Sequence, residues 1–229
     1  MHANNEIGTI QPIEEIAKIC KENKILFHSD MVQSFGKIPI NLTNIDLASF
    51  SGHKIHGPKG IGILYIKKGT KITPLLHGGG HEFNLRSSTE NIPSIIGLAK
   101  AIEIIFKDIQ TEIKRQSELR NYLIEELLKI PNSRLNGHKE KRLPNNVNIS
   151  FEFIEGESLV FKLNFKNIAA STGSACSSKS LEPSHVLLAI GLKPEIAHGS
   201  LRLTLNKDTT KKALDYTIKT IKQDRKSVV

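Results

Sequence analysis

Apolar positions near the start of the chain recur with the spacing of a helix. In "QPIEEIAKICKENK", Ile13, Ile16, Ala17 and Cys20 stand at i, i+3, i+4 and i+7, which places them on one helix face. Pro12 suits the first helical turn, and the two glutamates after Ile13 suit its positive end. The pattern therefore predicts an amphipathic helix that buries Cys20 in a core.

Short apolar runs then predict strands. "ILFHSD" is typical of a short buried strand that ends at Asp30, and "IDLASFS" and "GIGILYI" are typical of two more. Between the last two lies "GHKIHGPKG", which is rich in turn-forming residues. We expect a mainly parallel sheet in this part of the chain.

The rest of the chain alternates helical and strand patterns. A long helix is expected from about Pro93 to Ile130. The strands expected after it are "NNVNISFE", "IAAST" and "SLRLTL", and the helices are "ESLVFKLNF", "EPSHVLLAIG" and "TTKKALDYTIKTIKQ". In the last helix, Leu214, Ile218 and Ile221 form the buried stripe. This alternation predicts an α/β architecture that ends in a smaller, separate α/β layer.

Composition fits a globular protein whose core is filled mainly by isoleucine and leucine. Hydrophobic residues make up 38% of the 229 residues but aromatic residues only 5%. No apolar run approaches the roughly 18 residues that span a bilayer, and "MHANNEIGTI" is too polar for a signal peptide. We therefore expect a cytoplasmic protein without a membrane partner.

The net charge of +9 has three interpretations. It is compatible with nucleic-acid binding or with an acidic protein partner. A lysine-rich surface is the favoured interpretation, because lysines and arginines form no long run and no aromatic residues are interleaved with them. Direct nucleic-acid binding is not expected.

The two cysteines, Cys20 and Cys176, have to be considered singly. No CxxC or Cys/His spacing indicates an intrinsic metal site, and a cytoplasmic setting disfavours a disulfide. Cys176 lies in "STGSACSSKS", a stretch of small polar residues that is typical of an exposed loop. That position is unusual for a free cysteine, which is commonly buried.

Polar side chains follow two of the predicted strands. Asp30 ends one strand, and Ser51, His53 and Lys54 follow another. Ligands of open α/β sheets bind at the carboxyl ends of the strands, and a lysine amine there can form a Schiff base with a carbonyl cofactor. A pyridoxal 5′-phosphate site needs such a lysine, an acid for the pyridine nitrogen and donors for the phosphate. The alternative is that these side chains only satisfy loop backbone.

Longer motifs carry a resemblance to a known family. They are "ANNEIGTIQPI", "HSDMVQSFGKIPI", "LASFSGHKIHGPKGIGILY", "HGGGHE…RSSTEN", "STGSACSSKSLEPSHVL" and "AHGSLRLTL". Together they resemble the cysteine desulfurases of the NifS/IscS-like branch, within the class-V aminotransferases. The resemblance implies a PLP-dependent transferase of the aspartate-aminotransferase fold type I. Residues 1–108 would be the C-terminal part of the large cofactor-binding domain, and 109–229 the small C-terminal domain with the cysteine loop.

The resemblance also implies a role for each site residue. Lys54 would bind the cofactor covalently and later move protons, and Cys176 would be the nucleophile. Arg202 would bind the α-carboxylate of the substrate, a task suited to guanidinium. The remaining cofactor contacts implied are Asp30 on the pyridine nitrogen, Gln33 on the phenolic oxygen, Asn5 at the ring, Ser51 and His53 on the phosphate, and Thr89 on the phosphate of the neighbouring subunit of a homodimer.

The implied reaction converts L-cysteine to L-alanine and leaves a persulfide on Cys176. The sulfur would pass to an iron–sulfur scaffold or another sulfur-relay protein, including acceptors for tRNA thiolation, and Cys176 could contact a nascent cluster on a scaffold. The long "STGSACSSKS" segment resembles the first subgroup of the family. It disfavours the selenocysteine-lyase-like subgroup, whose loop is shorter.

The sequence departs from the family in length and at particular positions. Family members have about 150 further residues before the position of Met1, with a phosphate loop and a histidine that stacks on the cofactor. Met31 and Val32 replace small residues, and Phe83-Asn84 replaces Arg-Gly.

Ser88 replaces a glycine just before Thr89, where we expect a positive φ that serine adopts poorly. Two hypotheses follow from these departures. The chain is catalytic once an N-terminal half completes it, as in a split gene, or it is a non-catalytic remnant that only docks a sulfur acceptor.

Overall fold

A computed structural model describes residues 1–173 and 182–226. Its elements in chain order are α1 (Ile13–Glu22), β1 (His28–Asp30), β2 (Leu47–Ser51), a 3-10 helix (Gly52–Ile55), β3 (Gly62–Ile66), α2 (His81–Asn84), α3 (Ile92–Lys107), α4 (Ile109–Leu128), β4 (Ser133–Leu135), β5 (Asn146–Phe151), α5 (Gly156–Phe165), α6 (His185–Ala189), α7 (Pro194–His198), β6 (Ser200–Thr204) and α8 (Lys211–Lys226). None of the helices in these ranges is long and apolar enough to cross a membrane.

The chain folds as two compact units. The first comprises Met1–His2 and Pro12–Ile109, and the second comprises Ala3–Gln11 and Gln110–Val229. The segment Ala3–Gln11 thus belongs to the second unit, although the sequence continues from it into the first. The functional domain boundary at residues 108 and 109 stays a prediction.

The first unit contains a three-stranded sheet in the order β1-β2-β3. β1 and β2 are parallel, with Asp30 opposite Ser49, whereas β2 and β3 are antiparallel. The expectation of a mainly parallel sheet is therefore wrong for the strands described. Only a short connection joins β2 to β3, and a parallel pairing needs a crossover of about a dozen residues or more.

The core of the first unit lies under α1 and is small. Its buried members are Ile13, Ala17, Met31, Ile45 and Ala48. α1 begins after Pro12 as predicted, but its buried face is narrower than the pattern indicated. Ile16 is 38% exposed and Cys20 is half-buried, so the prediction of Cys20 as a core residue is wrong. β1 is likewise less buried than expected, because His28 is exposed.

α3 packs against the connection that carries Lys54. A Cβ at Gly97 of α3 would lie 2.7 Å from Pro58 Cγ, so only glycine allows this approach. The predicted long helix is two helices, since Asp108 has φ −130° and ψ 26° and separates α3 from α4.

Positive φ angles occur at one of the positions where the sequence departs from the family that it resembles. They occur at Glu82, Phe83 and Asn84, with values of 47°, 59° and 64°. Ser88 is not among the described residues with positive φ, so the expectation for Ser88 is wrong. The left-handed conformation lies instead where Phe83-Asn84 replaces the family's Arg-Gly, and it is costly for a bulky residue such as Phe83.

The second unit is an antiparallel sheet covered by helices, in the order β4-β5-β6. Every residue of β5 is buried. The core joins β5 and β6 to α4, α5 and α8, and Leu214, Ile218 and Ile221 of α8 are buried as predicted. The strand expected for "IAAST" is wrong, because only Ser171 in it makes an isolated bridge, to Arg202. β4 and α7 were not predicted.

Tyr122 joins α4 to α8 at the surface of the second unit. Its hydroxyl donates to Asp215 Oδ1 at 2.5 Å, and this hydrogen bond, more than desolvation or charge, raises the pKa of Tyr122 to about 12. The two residues also line a shallow cavity of about 300 Å³ that contains none of the predicted site residues.

We expect Asp215→Asn to lower the pH at which Tyr122 ionises, because the anionic acceptor that favours the neutral phenol is lost. The absorbance of tyrosinate at 295 nm, followed against pH, measures this change. Asp208→Asn, an exposed acid on the loop before α8, is the control and should leave the curve unchanged. Identical curves for Asp215→Asn and the wild type would contradict the assignment.

Candidate functional site

The turn after β1 carries the first group of predicted site residues. Asp30 ends β1, and its Oδ1 accepts a hydrogen bond from the Val32 amide at 2.8 Å. The Ser34 and Phe35 amides both donate to the Met31 carbonyl, so the chain coils tightly after the strand. This turn places Gln33 near the carboxyl ends of the parallel strands β1 and β2.

The second group follows β2, the parallel neighbour of β1. Ser51 ends β2, and His53 and Lys54 lie on the 3-10 helix that comes directly after it. Ser51 Oγ and His53 Nδ1 are 2.8 Å apart, and both His53 and Lys54 are exposed. If Ser51 donates to Nδ1, the other ring nitrogen of His53 carries the proton and can donate to an anion.

The two groups are held together by packing. The Met31 amide donates to the Ser49 carbonyl at 2.9 Å, which ties the turn to β2. A Cβ at Gly36 would lie only 3.0 Å from Ile55 Cγ2, next to Lys54. The turn after β1 therefore lies against the 3-10 helix, and the structure brings Asp30, Gln33, Ser51, His53 and Lys54 to one edge of one sheet.

The second unit holds two further predicted binding residues, Asn5 and Arg202. Arg202 lies on β6, where its backbone pairs with Asn148 and with Ser171. Its Nη1 donates to the Asn5 carbonyl at 3.1 Å. Burial lowers the pKa of Arg202, and the nearby charge of Glu6 opposes that shift.

The segment that contains Asn5 is fastened by buried polar groups. The side-chain amides of Asn146 and Asn148 both donate to the Glu6 carbonyl at 3.1 Å, and Arg142 donates to the Ile7 carbonyl at 3.0 Å. The carboxylate of Glu6, only 2% exposed, accepts from Ser184 Oγ at 2.5 Å. Buried polar groups that are satisfied in this way fix a segment firmly, which here holds Asn5 beside Arg202.

The two predicted site residues that remain are Thr89 and Cys176. Thr89 is exposed on the loop before α3, and its carbonyl accepts from Ser88 Oγ at 2.9 Å. Cys176 lies outside the described residues. Among the residues described, no histidine, cysteine, aspartate and glutamate side chains are grouped so as to hold a metal ion.

The donor set at the sheet edge fits pyridoxal 5′-phosphate. An exposed lysine amine, a carboxylate, an amide and a Ser–His pair are the chemical groups that this cofactor requires. Because Lys37 Nζ donates to Gln33 Oε1 at 3.2 Å, the amide nitrogen is the end of Gln33 left to donate elsewhere. Lys54, Asp30, Gln33, Ser51 and His53 are therefore suited to hold this group.

Two residues at these sites were missed by reasoning from the sequence. Lys37 was not identified, although it stands four residues after Gln33 in "QSFGK". Glu6 was not identified either, although it is next to Asn5 in "NNEIG". In both cases the signal was a charged residue close to a predicted ligand, but its contact depends on the folded turn.

Comparison with known proteins supports the same family. The model of the aminotransferase class-V family matches residues 1–216. A protein named cysteine desulfurase IscS from Methanosarcina thermophila is 57% identical over 223 residues, which are 96% of this chain and 55% of that protein. One of the same name from Dictyoglomus turgidum is 56% identical over 95% of this chain and 56% of its own length.

Comparison with solved protein structures supports the same family. A "NifS-like protein" superposes with a TM-score of 0.89 at 42% identity and covers 99% of this chain and 60% of its own. A NifS-like protein from Rickettsia africae gives a TM-score of 0.88 at 34% identity, over 98% and 60% respectively. The predicted α/β fold of the PLP-dependent transferases is confirmed. The chain spans little more than half the length of these relatives, it belongs to the class-V aminotransferase family, and its resemblance to the cysteine desulfurases is confirmed.

Proposed function

We propose that this chain is the lysine- and cysteine-bearing part of a cysteine desulfurase that uses pyridoxal 5′-phosphate. The observation that carries the proposal is the cluster of Asp30, Gln33, Ser51, His53 and Lys54 at the carboxyl ends of the parallel strands β1 and β2. The high identity to proteins named cysteine desulfurase supports it.

The residues of the first unit would bind the cofactor, which when bound draws electrons from the α-carbon of an amino acid. Lys54 would be its covalent anchor and would supply the amine that moves protons. Asp30 would pair with the pyridine nitrogen, and Gln33 would donate to the phenolic oxygen. Ser51 and His53 would hold the phosphate as a pair, with the Ser51 hydroxyl 2.8 Å from Nδ1 and His53 donating through its other ring nitrogen.

The residues of the second unit would bind the substrate and take its sulfur. Arg202 binds the α-carboxylate of L-cysteine, and Asn5 lies beside it through the contact of its carbonyl with Nη1. The Cys176 thiolate attacks the substrate sulfur, so that an S–S bond forms as the C–S bond breaks. The Cβ of the substrate gains a proton, which gives L-alanine and a Cys176 persulfide.

The partners proposed follow the same family. The chain would act in the cytoplasm as a homodimer in which Thr89 reaches the phosphate of the neighbouring subunit, and an N-terminal half would complete it. The persulfide would pass to an iron–sulfur scaffold or a sulfur-relay protein. Cys176 would contact a cluster only transiently, on the scaffold.

The test is alanine release from L-cysteine by this chain co-expressed with the N-terminal part of the Methanosarcina thermophila relative. We expect alanine and persulfide to form together, and both to fall to background in Cys176→Ser. Cys20→Ser, which removes the other cysteine of the chain, is the matched control and should retain activity. Alanine release that is indifferent to Cys176→Ser would refute the proposal.

Cofactor binding is tested separately by the visible absorption of the chain with added pyridoxal 5′-phosphate. We expect a band that is absent in Lys54→Ala and present in Lys59→Ala, an exposed lysine on the same connection. A band that persists without Lys54 would place the cofactor elsewhere.

A further inference from the structure

A second lysine lies at the candidate cofactor site. Lys37 ends the turn that follows β1, and its Nζ donates to Gln33 Oε1 at 3.2 Å. The turn is closed by its own backbone, since the Lys37 amide donates to the Ser34 carbonyl at 3.0 Å. The lysine and the glutamine are therefore held on the same compact turn.

The contact fixes the orientation of the Gln33 side chain. An ammonium group has donors only, whereas an amide has an oxygen that accepts and a nitrogen that donates. The Lys37 ammonium can bind only the amide oxygen of Gln33, so the amide nitrogen is left to donate to a ligand. Without Lys37, the amide could rotate and present its oxygen, which repels an anionic oxygen of a ligand.

Lys37 also lies within electrostatic reach of Lys54. Burial, and after it the charge of Lys54, lower the pKa of Lys37 to about 8. The packing of Gly36 against Ile55 explains the proximity, because these residues directly neighbour the two lysines in sequence. The site thus contains one exposed amine, Lys54, and one amine engaged with Gln33.

We propose that Lys37 is a positioning residue that holds the carbonyl end of Gln33, so that the amide nitrogen is presented to the phenolic oxygen of the cofactor. This role rests on the proposed function, because it takes pyridoxal 5′-phosphate as the ligand. Lys37 acts through Gln33 and touches no reacting atom. A lysine that merely stabilised the turn would have no such dependence on Gln33.

The first experiment uses the chain without cofactor. The side-chain amide of Gln33 is observed by ¹⁵N–¹H NMR and assigned from its loss in Gln33→Ala. We expect Lys37→Met to move this signal and Lys59→Met, the exposed control, to leave it in place. We also expect the ¹³Cε signal of Lys37 to titrate near pH 8, and at higher pH in Lys54→Met, because a repelling charge is lost. An unmoved Gln33 signal in Lys37→Met overturns the proposal.

The second experiment measures the affinity for pyridoxal 5′-phosphate by titration of the visible band. Lys37→Met and Gln33→Ala should each raise the Kd about tenfold, the worth of one good hydrogen bond, and the double variant should show no further loss. If the increases in Kd of the two single variants multiply in the double variant, the positioning role is overturned. A wild-type chain without any Lys54-dependent band counts against the proposed function instead, and the NMR result then still decides the contact of Lys37 with Gln33.

Discussion

Replacing Phe151 with alanine is expected to lower the free energy of opening of the β5–β6 sheet by about 3–5 kcal/mol, the usual cost of deleting a buried phenylalanine ring. Phe151 is 0% exposed and belongs to the cluster that joins the sheet to α4, α5 and α8. Its amide also donates to the Gly199 carbonyl at 2.9 Å, close to the start of β6. A cavity at this point would therefore loosen the strand that carries Arg202.

Hydrogen exchange of the β5 amides, Asn146–Phe151, measures this cost locally and does not require the whole chain to unfold in one step. Phe153→Ala is the matched control, because Phe153 lies two residues further on and is 82% exposed. Its effect should stay within about 0.5 kcal/mol, as is usual for surface substitutions. If both substitutions lowered the free energy of opening equally, burial of the Phe151 ring would not be what stabilises this core.

The elements with a strong periodic pattern could be predicted from the sequence. α1, α5 and α8 lie where the 3.6-residue spacing placed them, and the buried stripe of α8 is confirmed. β5 and β6 were also predicted, since their apolar residues come in short runs bounded by turn signals. The family and the fold class were recognisable from motifs that extend beyond one element, such as the one that runs from β2 to β3.

The pairing of strands could not be predicted in the same way. Nothing in "GIGILYI" tells an antiparallel edge strand from a parallel one, because both patterns are short and apolar. "IAAST" has the composition of a strand, yet it makes a single bridge to Arg202. Burial is equally hard to predict from a short pattern, as Cys20 shows. It is on the predicted face of α1, but the core of the first unit reaches only Ile13 and Ala17 of that helix.

Only some residues of the candidate site could be predicted from the sequence. Asp30 and Lys54 could be identified because Asp30 ends a strand and Lys54 closely follows one, and position at a strand end is visible in sequence. Lys37 and Glu6 could not, because their roles depend on contacts. One is a hydrogen bond across a turn, and the other is the bond that the Glu6 carboxylate accepts from Ser184, far away in the chain.

Arg202→Lys is expected to raise the KM for L-cysteine about 10- to 100-fold in the completed enzyme. A guanidinium binds a carboxylate through two parallel hydrogen bonds, and hydrogen bonds to charged groups contribute about 1.5–3 kcal/mol each. Lysine keeps the charge but loses the paired geometry. Arg134→Lys, on the exposed position of β4, is the matched control and should leave KM unchanged.

The same substitution also removes the hydrogen bond from Nη1 to the Asn5 carbonyl, so the two roles of Arg202 have to be separated. If Arg202 binds the substrate carboxylate, KM for L-cysteine rises while the affinity for pyridoxal 5′-phosphate stays the same. If Arg202 serves only to hold Asn5, cofactor affinity falls and KM at saturating cofactor is unchanged. The burial that lowers the pKa of Arg202 favours the first outcome, because a partly desolvated guanidinium gains most from an anionic ligand.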